Sequence, residues 1–130
     1  MIVLDASVVL EVLLRSQAGL KIEERIFSPS EILFAPHLLD LEVVQVLRRY
    51  CASGEIDSER GKEAIEDFKD LPINRYQHDI FLYRVWELRH NMTAYDAVYV
   101  ALAETLPAPL LTRDAALASA PGHEAVIELI

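Results

Sequence analysis

Residues 2–15 read IVLDASVVLEVLLR: three apolar residues, one aspartate, then a run with helical spacing. IVL leaves no position for water on either side, which marks a short strand covered on both faces. SVVLEVLLR (7–15) predicts the helix that follows. A strand passing through an acid into a helix is the first half of a β-α-β unit, and the remaining chain repeats the alternation. A second helix is expected over LKIEERIF (20–27), SPSE interrupts it, and ILFA (32–35) predicts a second strand. Pro36 is expected in the first turn of a helix covering HLLDLEVVQVLRRY (37–50), where its missing N–H costs no hydrogen bond. After SGEID comes a polar amphipathic helix over 58–70, with Asp57 as its N-cap. LPINRY (71–76) is a weaker strand signal, and HDIFLYRVWELRH (78–90) predicts a helix ended by Asn91, with Thr93 starting the next. PLLT (109–112), RDAALAS (113–119) and AVIELI (125–130) close the chain as strand, short helix and strand. The pattern predicts an α/β sandwich around a mainly parallel sheet.

A length of 130 residues suits one domain with a real core. The 52% hydrophobic content and mean hydropathy of +0.20 exclude a disordered chain, and are generous enough to suggest a face covered by a partner. No apolar stretch approaches the roughly 20 residues needed to span a bilayer. MIVLDASVV lacks a basic leader region and does not read as a signal peptide. The lone Cys51 forms no internal disulfide, suits a reducing cytoplasm, and reads as a small hydrophobe. A net charge of −9, from 21 acids against 12 bases, argues against binding nucleic acid through a broad basic face. It leaves open a nuclease whose acids gather around divalent cations, because the ion reverses the local field.

The acids fall where such a site belongs. Ligands of open parallel sheets bind outside the carboxyl ends of the strands. Asp5 follows IVL directly and Asp114 lies two residues past PLLT, which places both on one rim. Each is equally explained as the N-cap of the following helix. Asp96 sits in TAYDAVYVALAE (93–104), where an unpaired carboxylate costs several kcal/mol unless it is paired, binds a metal or takes a proton. Thr93 and Asp96 also fit a capping box, although such boxes favour Glu or Gln. Glu42 lies at the border of the apolar arc of its helix and Asp40 deeper within it, so periodicity alone favours Asp40 without settling the choice, and a surface pair with Arg49 is the plain alternative for Glu42. Gathered in one cleft, four carboxylates need cations, and all-oxygen ligands select hard ions, Mg²⁺ or Mn²⁺. His37, His78, His90 and His123 have no metal-ligand spacing, and no histidine is placed to activate Ser7.

IVLDASVV, APHLLDLEVVQVLRR, TAYDAVYVALAE and LLTRDAALA, in this order and spacing, resemble the PIN domain family and within it the VapC-type ribonuclease toxins. The resemblance implies one PIN-like three-layer α/β/α sandwich over residues 1–130. It implies a catalytic, metal-binding quartet of Asp5, Glu42, Asp96 and Asp114 holding Mg²⁺ or Mn²⁺, and so decides for Glu42 over Asp40. Ser7 and Thr112 match positions whose hydroxyls support the acids, and Arg113 is a candidate phosphate contact. Many relatives carry a further acid just after the last one, where this chain has Ala115 and Ala116. The implied reaction is hydrolysis of RNA to a 3′-hydroxyl and a 5′-phosphate. The implied partners are a second copy of the chain and a VapB-type antitoxin, which rather than this chain binds DNA. Two features of the sequence also suggest a homodimer: the helix at 93–106 is nonpolar nearly all round, and FLYRVWEL is rich in interface-type aromatics, although both helices could equally be central to one core. Two rival readings are an inactive PIN module that binds RNA or an antitoxin, disfavoured by the presence of all four acids, and a receiver domain. A receiver needs a lysine near its last strand, and this chain has none after Lys69.

Overall fold

Strand β1 (Ile2–Leu4) lies at the centre of the molecule with all three residues fully buried, as its unbroken apolar run requires. The computed structural model describes residues 1–130. In chain order, helices α1 (Ala6–Leu13) and α2 (Gln17–Ile26) lead to β2 (Leu33–Pro36), and α3 (Leu38–Ala52) and α4 (Ser58–Asp70) lead to β3 (Ile73–Tyr76). Helices α5 (Leu82–Glu87) and α6 (Ala94–Thr105) then lead to β4 (Leu110–Thr112), and α7 (Ala115–Ala118) to β5 (Ile127–Leu129). The five strands are all parallel in the order β3-β2-β1-β4-β5.

That order assigns the layers. The chain steps outward from β1 to β3, then returns across β1 to β4 and continues to β5. Right-handed crossovers therefore put α1–α4 on one face and α5–α7 on the other. The packing agrees: α1 touches α2, α3 and α4, while α5 packs on α6. Gly19 lets α2 settle onto α1, since a Cβ there would stand 2.4 Å from the Glu11 carbonyl oxygen. The connections leaving β1 and β4 run in opposite directions, so the switch point of the sheet, where a crevice opens, lies at their carboxyl ends.

Three expectations are corrected. Pro36 ends β2 instead of starting a helix. It pairs with Tyr76, and the His37 amide extends the ladder by donating to the Tyr76 carbonyl, so α3 begins at Leu38. The helix expected over 78–90 is a 3₁₀ turn (Asp79–Phe81) followed by the six-residue α5. Phe81 and Leu88 both turn into the core, and the backbone leaves α geometry at each of them. Helix α6 is nonpolar all round because it is central: Ala97 through Ala103 are buried against β1, β2 and β4. It is thus no argument for a subunit contact, whereas α5 leaves Leu82, Tyr83 and Trp86 exposed, with Ile80 and Tyr95 beside it. No helix is long and apolar enough to cross a membrane.

Candidate active site

The switch point is where the acids gather. Asp5 leaves β1 as the N-cap of α1, its Oδ1 accepting from the Val8 amide at 3.2 Å and from the Ser7 hydroxyl at 2.6 Å. Its Oδ2 accepts from the Thr112 hydroxyl at the end of β4. The same two hydroxyls accept amides of the β4–α7 loop, Ser7 from Arg113 and Thr112 from Asp114, each at 3.0 Å. Ser7 and Thr112 thereby stitch β1 to β4 and fix Asp5, which is 8% exposed, in one orientation. Asp114 caps α7 through the Ala116 and Leu117 amides. The capping explanation of both aspartates is therefore correct as local structure. It does not compete with a role in the cleft, because capping is what aims each carboxylate at the rim.

Asp96 stands in the first turn of α6. Thr93 caps that helix by accepting the Asp96 amide at 3.2 Å, but the Thr93 amide makes no return bond to the Asp96 carboxylate, so only half a capping box forms. Apart from the Thr93 hydroxyl, its carboxylate faces the other acids of the cleft. Glu42 projects from α3 and accepts the Tyr99 hydroxyl at 2.6 Å. It forms no pair with Arg49. Asp40, the acid that periodicity favoured, pairs with Arg75 at 2.7 Å and is neutralised away from the cleft.

Electrostatics join the acids into one cluster. Burial pushes Asp5 above the ordinary carboxylate range, opposed by the Ser7 and Thr112 hydroxyls. Glu42 is raised by burial and then by the charges of Asp5 and Asp96, with the Tyr99 hydroxyl opposing. Asp96 is raised by burial and then by the charges of Asp114 and Asp5, with the Thr93 hydroxyl opposing. None of the four acids has a basic partner in any ion pair. No three metal-ligating side chains converge closely enough to hold an ion as they stand.

Arg113 is turned elsewhere. Its guanidinium meets Glu11 at 3.5 Å and donates to the Ile130 carbonyl at 2.9 Å, and with Lys21 it lines a separate hollow of about 440 Å³. Sequence reasoning missed Tyr99. The available signal was its spacing, one turn after Asp96 on a buried helix, because a buried tyrosine hydroxyl needs a partner. Burial, followed by the charge of Glu42, raises the pKa of that hydroxyl and keeps it a donor.

The family model for the PIN domain matches residues 2–122, and the chain belongs to that family, among its VapC-type members. It is 44% identical over 129 residues to Ribonuclease VapC1 of Mycobacterium tuberculosis, covering 98% of this chain and 96% of that one. It is 38% identical over 130 residues to Ribonuclease VapC12 of the same organism, covering 100% and 99%. Among solved structures it resembles VapBC2 from Rickettsia felis bound to a fragment of its promoter DNA, with a TM-score of 0.72, 12% identity and 98% of each chain covered. That last likeness speaks for the fold alone.

Proposed function

We propose that this chain is a divalent-metal-dependent endoribonuclease, a cytoplasmic toxin that cleaves cellular RNA and is neutralised by a VapB-type antitoxin. The observation that carries the reading is the cluster of mutually repelling carboxylates, without a basic partner, at the switch point of a chain whose relatives are named ribonucleases. The donor set suits a hard ion: Asp5, Glu42, Asp96 and Asp114 offer carboxylate oxygens only, and a cation would offset the repulsion among them. These four are the proposed ligands and catalytic acids. Bound Mg²⁺ or Mn²⁺ supplies a water of lowered pKa and stabilises charge on the transferring phosphate. Ser7 and Thr112 hold Asp5 rigid, so little reorganisation remains at the reaction step. The decisive experiment expresses the chain in a host cell. Growth arrest with accumulating RNA fragments ending in 3′-hydroxyl groups is expected, and Asp5→Asn should relieve it. Arrest that persists undiminished in Asp5→Asn overturns the nuclease reading.

The antitoxin partner is supported by the VapC-named relatives, and DNA binding is assigned to that partner because this acidic chain lacks a basic face. A homodimer is proposed on the exposed side of α5, where Leu82, Tyr83 and Trp86 present apolar surface beside Tyr95. Light scattering at micromolar concentration should give the mass of two chains. A constant 14.7 kDa across that range would leave α5 without this role.

A further inference from the structure

Of the cleft acids, Glu42 has the longest side chain, and a single bond restrains it. Asp5 is held by two hydroxyls and an amide, and Asp114 by two amides. Glu42 is half-buried on α3 and makes one directed contact, the 2.6 Å bond from the Tyr99 hydroxyl to its Oε1. Left alone, a glutamate on a helix samples several staggered rotamers, each sending the carboxylate to a different place. Tyr99 does not share that freedom. It is 1% exposed, its ring is locked among the buried residues of α6, and the core therefore fixes where its hydroxyl lies. It lies three positions after Asp96, so one face of α6 both presents an acid to the cleft and grips the acid that arrives from α3. The bond crosses the rim from one helical layer to the other and leaves Oε2 of Glu42 without a protein partner.

We propose that Tyr99 is a positioning residue for the active site, its buried hydroxyl selecting the Glu42 rotamer that turns a free carboxylate oxygen toward Asp5 and Asp96. The proposal rests on the reading of Glu42 as a metal ligand. It also gives α6 two tasks, since packing this helix correctly sets Asp96 and Glu42 together.

The test is a double-mutant cycle read by Mn²⁺ titration calorimetry on the wild-type chain, Tyr99→Phe, Glu42→Ala and the double variant. Metal-free melting curves and RNA cleavage are measured alongside. Tyr99→Phe keeps the ring and removes only the donor. It is expected to weaken Mn²⁺ binding about 10-fold, the usual scale for a residue that orients a ligand, and to lower kcat on RNA with KM little changed. In the Glu42→Ala background the same substitution should add nothing to the loss of Mn²⁺ affinity. The proposal is overturned if Tyr99→Phe binds Mn²⁺ as tightly as wild type while Glu42→Ala does not. It is also overturned if Tyr99→Phe weakens binding equally with and without Glu42, which would place its effect in the fold. Unchanged Mn²⁺ affinity in Glu42→Ala is a different failure: it removes Glu42 from the ligand set and the role of Tyr99 with it.

Discussion

Asp96→Asn abolishes RNA cleavage and leaves the fold in place; that is the largest single effect expected of this site. The loss follows from the proposed chemistry. A bound divalent ion contributes several kcal/mol to the charge of a phosphoryl transition state, and losing about 4 kcal/mol is roughly a 10³-fold fall in rate. Stability should move the other way. The Asp96 carboxylate is raised by burial and by the charges of Asp114 and Asp5, opposed by the Thr93 hydroxyl, and the Thr93 amide makes no return bond to it. The amide of asparagine removes a repelled charge, while Thr93 still caps α6 through the backbone. Metal-free melting of Asp96→Asn is therefore expected at or above the wild-type temperature. A variant that melts far earlier and still cuts RNA would show that Asp96 serves the helix instead of the reaction.

The second large effect is the response of the melting temperature to metal and to pH. Asp5, Glu42 and Asp96 all lie above their ordinary values when folded. The folded chain thus binds protons more tightly than the unfolded chain at these three positions, and stability is lost as pH rises through the unfolded and then the raised folded values. Lowering the pH of metal-free protein from neutrality toward the raised values of these carboxylates should accordingly raise the melting temperature. Glu31 and Glu104 act in the opposite sense, because ion pairing lowers them; their contribution begins to fall only as pH drops toward the unfolded value of 4.5. Mg²⁺ or Mn²⁺ should deliver the same relief at neutral pH. At 100 times the dissociation constant the gain is about 2.7 kcal/mol, on the order of 10 °C for a chain of this size. Asp5→Asn retains a side chain that caps α1 well, so its folded state is a fair comparison. It should lose most of the metal-dependent shift. An equal shift in variant and wild type would instead reflect general screening of the −9 charge.

Most of the architecture was legible in the chain. IVL, ILFA and PLLT are short apolar runs with no polar face, and each became a central parallel strand because both sides of the sheet are covered. Asp57, Thr93 and Asp114 cap their helices because a short polar side chain ahead of a helical run has few better uses. Legibility failed where a local preference met a tertiary one. Pro36 suits a helix start, yet the end of β2 accepts it equally well, and the partner strand Ile73–Tyr76 decides between them. The stretch 78–90 reads as one helix, whereas the backbone leaves α geometry at Phe81 and again at Leu88, the two residues of that stretch buried in the core.

The site divides along the same line. The sequence by itself determined that acids follow two parallel strands and that Asp96 opens an apolar helix, because strand ends and helix caps are set within a few residues. Glu42 over Asp40 came only from resemblance, since both lie near one helical arc. Only the tertiary structure separates them: Arg75 from β3 reaches Asp40, and Tyr99 from α6 reaches Glu42. The clamp on Asp5 likewise joins residues 107 positions apart. Such contacts depend on which strand lies beside which, and the order β3-β2-β1-β4-β5 is a property of the whole chain's packing that no local window contains.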